Sequence, residues 1–150
     1  MSTYKQIAKA VNAVIREKYP EIPIYMADVV DGTQKPYFFV EIRPTGVDNE
    51  TKNMRRQRVN VFVTFNQKKA DFSEDLDVFE TLRKAFGMYI TSESDSGKPR
   101  KLLVLDYSSE YVGKNNNIMQ IYFNLDWYVD TEERGGTYIE YLNLRTQTQD

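Results

Sequence analysis

Carboxylates are the first side chains to weigh for chemistry, because the sequence contains no cysteine and no histidine. The missing cysteine excludes disulfides, thiolate nucleophiles and cysteine-bound zinc. The missing histidine removes the commonest general base and the commonest transition-metal ligand. Glycosidase-like or magnesium-dependent nuclease chemistry stays open if acidic groups converge in a cleft. Glu41 and Asp126, both on predicted strands, are the residues that such an enzyme would use.

Other motifs for chemistry are weak. Acidic residues cluster between positions 71 and 80, a pattern typical of a helix start, since negative charge stabilises the positive helix end. The sequence lacks the alternating acids and final glutamate of a calcium-binding loop. It also lacks the Gly-Lys-Ser/Thr signature of a phosphate-binding loop. We therefore expect no catalytic residue, no metal and no cofactor.

A basic cluster lies between positions 43 and 58. This segment contains five positive residues and two negative residues, Asp48 and Glu50, so its net charge is 5 − 2 = +3. It fits a solvated hairpin tip, a subunit contact or a single-stranded nucleic-acid site. The whole chain has a net charge of -2, which gives no general attraction to nucleic acid or to an anionic membrane. The cluster consists of Arg43, Lys52, Arg55, Arg56 and Arg58.

Tyrosine is abundant, with 11 residues, and several fall where one side of a strand or tail should be exposed. Tyrosine gives a large contact area with little loss of entropy, so this abundance favours a protein that assembles with others. The tyrosines expected at the surface are Tyr107, Tyr111, Tyr122, Tyr128, Tyr138 and Tyr141. The candidate interface residues are Arg43, Lys52, Arg55, Arg56, Arg58, Phe62, Tyr122, Tyr128, Tyr138 and Tyr141.

The hydrophobic pattern predicts two helices and five strands in the order α-β-β-β-α-β-β, followed by a tail. Val59, Val61 and Val63 share one face of a strand, and residues 118–130 alternate in the same way. Large apolar residues occupy both faces of "YFFV" at 37–40, which predicts a central strand that is buried on both sides, where a neighbouring subunit could close one side. The helices are predicted at 3–19 and 73–90, and the strands at 22–26, 37–43, 55–65, 101–112 and 118–130.

The second predicted helix shows both a cap and an apolar stripe. Asp71 and Glu74 are spaced for a capping box. The stripe that should face the core consists of Leu76, Phe79, Leu82, Phe86 and Ile90.

These elements define an α+β fold with a mainly antiparallel sheet and two helices packed on one face. Residues 1–130 form a single domain in this interpretation, and residues 131–150 form a C-terminal tail with some strand character. The polar segment 45–54 is the tip of a long hairpin. No apolar run reaches the roughly 20 residues of a membrane helix, and the first residues are not a secretion signal, so we expect a cytoplasmic protein.

Several segments together resemble the tail terminator family of long-tailed phages and phage-like particles, in the form common in prophages of Gram-positive bacteria. The resemblance covers residues 4 to 130, and "KPYFFVEI" is its most specific part. The Tyr-rich tail departs from the more acidic tail usual in that family. The matching segments are "REKYPEIPIY", "DGTQKPYFFVEI", "RRQRVNVFVTF", "NQKK", "EDLDVFETL" and "IMQIYFNLDWYV".

The resemblance implies assembly and not catalysis. Such proteins form a homohexameric ring on the head-proximal end of the tail tube, where the ring stops polymerisation and presents a surface to the head–tail connector or neck. The implied partners are the tube protein, the connector and, in contractile tails, the sheath protein; neither a membrane nor a specific nucleic-acid sequence is implied. The implied location is the tail–neck junction of a virion assembled in the bacterial cytoplasm.

Three alternatives stay open beside a tail terminator. Another head–tail joining or neck protein would bind the portal or connector alone. A single-stranded nucleic-acid-binding module would use Arg55, Arg56 and Arg58 with exposed tyrosines, and its binding would depend on salt. A metal-dependent nuclease would use Glu41 or Asp126.

Overall fold

The computed structural model describes residues 3–26 and 34–130, which form two helices and one six-stranded sheet. The strand order is β1-β2-β3-β6-β5-β4. Only β1 and β2 pair in parallel, and every other neighbouring pair is antiparallel, so the predicted α+β class is confirmed. The elements are α1 (Thr3–Lys18), β1 (Ile24–Tyr25), β2 (Tyr37–Asn49), β3 (Met54–Asn66), α2 (Phe72–Phe86), β4 (Tyr89–Ser92), β5 (Arg100–Val112) and β6 (Ile118–Asp130).

Both helices cover the same face of the sheet, and the core lies between them and the strands. Ile7, Val11 and Ile15 of α1 are fully buried, at the helical spacing that the sequence predicts. Val61 of β3 and Ile121 of β6 belong to the same core cluster and contribute to it from the sheet. Among the described residues no helix is long and apolar enough to cross a membrane.

Helix α2 is capped as predicted at its start but ends earlier than predicted. The Asp71 carboxylate accepts hydrogen bonds from the backbone N–H groups of Ser73 and Glu74. Gly87 ends the helix, with a φ of 61° and an N–H that donates to the carbonyl of Arg83.

The chain beyond Gly87 forms β4, so the predicted helical segment 87–90 was wrong. The predicted stripe was also partly wrong, because Leu76 is exposed while Val78 is buried. The buried side of α2 is Asp75, Val78, Leu82 and Phe86, a stripe that begins one residue before Leu76.

The predicted hairpin is confirmed, but its tip is shorter than the predicted 45–54, because β2 and β3 continue through most of that segment. They pair as far as Asn49 opposite Arg55, with an irregularity between Pro44 and Gly46 that accommodates the proline. Only residues 50–53 form the turn, which is closed by backbone bonds from residues 50 and 51 to the carbonyl of Met54. The result is an arm built from one end each of the paired strands β2, β3 and β6.

The aromatic strand "YFFV" is buried fully on one side only. Phe38 and Val40 are 0% exposed and face the helices, whereas Tyr37 and Phe39 point to the opposite face and are half-buried. Strand β2 is second from the sheet edge, so the prediction of a central strand was wrong. The central strands are β3 and β6.

A bulge in β5 reverses the faces of two predicted surface tyrosines. Leu105 pairs with Asn124 and Ser108 with Tyr122, so β5 has one extra residue over this interval. One extra residue moves every following side chain to the other face. Tyr107 therefore points towards α2, where its hydroxyl donates to the carbonyl of Phe79 at 2.9 Å.

Tyr111 also turns to the helix side, yet it is 38% exposed, so its predicted place at the surface is confirmed, whereas the prediction was wrong for Tyr107, which packs against the core. The Tyr111 ring stacks with Phe72 at 6.3 Å, and its hydroxyl donates to the Asp75 carboxylate. Burial, the largest cause, raises the pKa of the Tyr107 hydroxyl above its ordinary value.

Candidate assembly surface

The sheet face opposite the helices is the candidate functional surface, and we call it the outer face. Side chains alternate between the two sides of a strand, so the neighbours of the buried valines point outward. Phe62 of β3 and Tyr122 of β6 lie on this face as a cross-strand pair, with ring centres 6.4 Å apart. The Arg43 guanidinium lies 4.8 Å from the centre of the Phe62 ring.

Arg43 also forms an ion pair on the outer face. Its Nε and Nη2 donate to the two oxygens of Glu41, each at 3.0 Å. Both side chains are well exposed, at 60% for Arg43 and 41% for Glu41. Glu41 is therefore the partner of an arginine and its charge is neutralised locally.

Asp126 is the buried centre of a three-residue ion cluster on the outer face. Its side chain is only 2% exposed. Arg56 Nε donates to Oδ2 at 2.7 Å and its Nη2 donates to the same oxygen, while Arg58 Nε donates to Oδ1 at 3.2 Å. The hydrogen bonds to Asp126, the largest cause, raise the pKa of the Arg56 guanidinium. This cluster ties β3 to β6 at the base of the arm.

The two candidate catalytic carboxylates do not converge. Glu41 of β2 lies opposite Phe62 of β3, which in turn lies opposite Tyr122 of β6. Asp126 lies four residues beyond Tyr122 on β6 and is opposite Arg58 of β3. At strand spacings this is about 13 Å along the sheet and about 10 Å across it. Within the described residues no group of three or more acidic residues could hold a metal ion. The arrangement supports charge pairing within the sheet.

The remaining predicted interface residues lie on the arm or outside the described residues. Tyr128 is 52% exposed on the outer face near the end of β6. Lys52 lies in the exposed turn at the tip of the arm, and Arg55 is half-buried beside it on β3. Tyr138 and Tyr141 fall outside the described residues, so their predicted roles stay predictions.

The basic cluster is less cationic than its sequence suggests. Arg56 and Arg58 share the charge of Asp126, which is distant in sequence, and Arg43 is paired with Glu41. A phosphate backbone would have to compete with these ion pairs, which disfavours a nucleic-acid site here. The sequence raised Asp126 as a catalytic candidate, although strand carboxylates are more often exposed or paired with arginine or lysine, and the structure shows such a pairing. The alternation along β6 did not identify Arg56 and Arg58 as its partners.

The comparisons with known proteins give the family. The family model described as "Phage tail terminator protein" matches residues 6–137, most of the chain. The chain therefore belongs to the phage tail terminator protein family, whose members are structural proteins of the phage tail. This confirms the family expected from the segments around "KPYFFVEI".

One solved structure shows a similar fold. A chain of the "Virion of native gene transfer agent (GTA) particle" aligns with a TM-score of 0.58 at 15% identity, over 86% of this chain and 98% of that chain. A second solved chain aligns with a TM-score of 0.48 at 12% identity, over 83% of this chain and 90% of that chain. A search among curated proteins gave no match.

Proposed function

We propose that this protein is the tail terminator of its particle. Six copies form a ring on the head-proximal end of the tail tube, where the ring stops tube growth and presents a surface to the head. The outer face is the observation that supports this beyond family membership. Phe62, Tyr122 and Tyr128 lie on it opposite the core, and the described helices leave it uncovered. Aromatic residues on a polar face are typical of protein interfaces.

The sheet offers the two unlike surfaces that a closed ring needs. A head-to-tail ring joins one patch of each subunit to a different patch of the next. One edge of this sheet carries β1, which is two residues long, and the other carries β4, which is four residues long. Within the described residues, these short edge strands leave backbone groups of β2 and β5 without a strand partner beyond them. These unlike edges suit a heterologous contact.

The partners follow from this position in the particle. The ring contacts the tube protein on one side and the head–tail connector on the other, and it contacts the sheath protein if the tail contracts. Assembly takes place in the cytoplasm of the bacterial host, which we propose to be Gram-positive and to carry the particle as a prophage. The finished protein resides at the tail–neck junction.

Deletion of the gene, followed by electron microscopy of the particles, tests this function. We expect headless tails that are longer than normal, because nothing stops tube growth. Tails of normal length that fail to join heads would instead indicate a neck or joining protein, the second candidate. Normal infectious particles would contradict both roles. Re-expression of the intact gene is the control and should restore tail length and head joining.

A further inference from the structure

The end of the sheet opposite the arm carries a polar pocket of about 280 Å³. Four segments that are separate in the sequence meet there: the start of β2, the end of β3, the loop before α2 and the turn between β5 and β6. This volume lies just below the roughly 300–1,000 Å³ of pockets for drug-sized ligands, so it suits a small ligand or a single chemical group. We call it the lysine pocket, because Lys35, Lys68 and Lys114 line it.

The lysine pocket is lined by three positive charges and by no acidic residue. Within the described residues, none of its three lysines forms an ion pair. Asp71 and Asp75 follow Lys68 in the chain, but both make other contacts. Asp71 caps α2, and Asp75 accepts hydrogen bonds from Gln67 and Tyr111. Within the described part of the chain, the charge of the pocket is therefore not paired with a carboxylate.

Asn66 adds a buried amide to the same pocket. This residue is only 8% exposed, and its side chain forms no hydrogen bond within the residues that the structure describes. Buried polar groups are nearly always hydrogen-bonded, either within the protein or to a bound molecule. The amide offers N–H donors, so Asn66 and the lysine ammonium groups present donors to one shared space. Such a set suits a ligand with negatively charged oxygen atoms.

The turn between β5 and β6 places Lys114 beside the strands. Gly113 has a φ of 92°, and a side chain at this position would meet Ile118 at 3.0 Å, so glycine allows the turn to close. The N–H of Asn116 donates to the carbonyl of Gly113 at 3.1 Å and completes the turn. The closed turn holds Lys114 next to the start of β6, so the sheet fixes the backbone that carries this charge.

We propose that the lysine pocket binds a phosphate group. A phosphate ester carries a charge of about −1.5 to −2 at pH 7 and three strong acceptor oxygens, so it can accept hydrogen bonds from several ammonium groups and an amide together. A single carboxylate carries one negative charge and balances the three lysines less well. The group belongs to a free phosphate compound or to a nucleic-acid backbone, which share this chemistry. This inference is independent of the proposed function, because it concerns one chain and the end of the sheet away from the arm.

Titration of the isotope-labelled protein with inorganic phosphate at constant ionic strength tests the proposal. We expect the NMR signals of the Asn66 side-chain amide and of the Lys114 backbone to shift saturably. Lys35→Gln combined with Lys114→Gln should weaken binding at least about tenfold, because two charge-assisted hydrogen bonds are lost. Lys5→Gln combined with Lys98→Gln is the matched control, since it makes the same change of charge at exposed positions near β4. It should change the affinity less than about twofold, because distant exposed charges are screened.

Asn66→Ala gives a second readout, because it removes the buried amide and no charge. It should weaken phosphate binding about two- to tenfold, measured from the Lys114 signal, with an unchanged circular dichroism spectrum. The absence of a saturable shift in the natural protein, or equal losses in the two double lysine variants, would overturn the proposal. A short single-stranded oligonucleotide distinguishes the two sources. If it shifts the same signals at lower concentrations than inorganic phosphate, a nucleic-acid backbone supplies the group; if inorganic phosphate alone shifts them, a free phosphate compound does.

Discussion

Asp106 shows how a single residue sets the faces of a strand. It lies in the bulge of β5 with a φ of 57°, a region that L-residues rarely adopt, and its carboxylate accepts a hydrogen bond from Asn124 at 3.3 Å. Aspartate tolerates this conformation better than most residues, and β-branched residues tolerate it worst. The bulge turns Tyr107 towards α2, so the backbone of Asp106 determines a contact of the core.

The effect of a substitution at Asp106 therefore depends on how easily the new residue adopts a positive φ. Asp106→Val should lower the free energy of unfolding by about 1–2 kcal/mol relative to Asp106→Gly, because both lose the side-chain hydrogen bond but only valine is strained. Urea unfolding followed by circular dichroism gives both values. Equal stability of the two variants would contradict a strained position.

Asp75 is a buried carboxyl group that makes stability depend on pH. It is 2% exposed, and burial, the largest cause, raises its pKa above the ordinary 3.8, although hydrogen bonds from Tyr111 and Gln67 oppose that shift. The folded state then binds the proton more tightly than the unfolded state. The contribution of Asp75 to stability is therefore most favourable below pH 3.8 and falls as pH rises through the raised pKa.

Asp75→Asn should remove this dependence. The unfolding free energy of Asp75→Asn, minus that of the natural protein, should increase as pH rises from 3.8 towards 7. Urea unfolding at a series of pH values measures it. Asp77→Asn, at an exposed position of the same helix, is the control and should show no comparable trend. A difference that is constant with pH would show that Asp75 has the same pKa in both states.

At the scale of elements, the arm depends on the tie between β3 and β6. Asp126→Asn keeps the shape of the side chain but removes the charge that Arg56 and Arg58 share, so the two cations are left close together. We expect a clear fall in the urea midpoint. Glu41→Gln is the matched control, because its ion pair is solvent-exposed and such pairs contribute little. Equal midpoints for the two variants would rule out a special role for the buried cluster.

The elements also show which features a sequence can predict. The presence of both helices, the alternation of β3 and β6 and the Asp71 cap follow from local patterns, and the structure confirms them, although α2 ends earlier than predicted. The segment 44–49 reads as a loop because of Pro44 and Gly46, yet pairing with β3 keeps it in a strand. The faces of Tyr107 and Tyr111 depend on one extra residue in β5, and the partners of Asp126 lie about 70 positions away in sequence. These features depend on contacts between residues far apart in the sequence, so no local sequence pattern predicts them.

At the scale of the whole molecule, the two faces of the sheet have different roles. One face, with the helices, forms the core, so changes there alter folding before they alter assembly. The outer face carries aromatic and paired charged residues that the core does not need. Among the described elements, β2, β3 and β6 build the arm, which continues this face past the ion cluster of Asp126. A variant of the outer face should therefore separate assembly from folding.

Phe62→Ser combined with Tyr122→Ser is that variant. The loss of one cross-strand pair should cost the subunit about 1 kcal/mol of stability, which leaves it folded by circular dichroism. It should nevertheless fail to restore normal tail length in the deletion strain, because the ring or its contact with the tube is lost. Light scattering of the purified natural protein at ring-forming concentrations should give about six times the 17.6 kDa of one chain. Phe72→Ser is the matched control, since it removes an aromatic ring that is 64% exposed on the helix side. Normal tails with the outer-face variant, or equal defects from both variants, would show that assembly does not depend on the outer face.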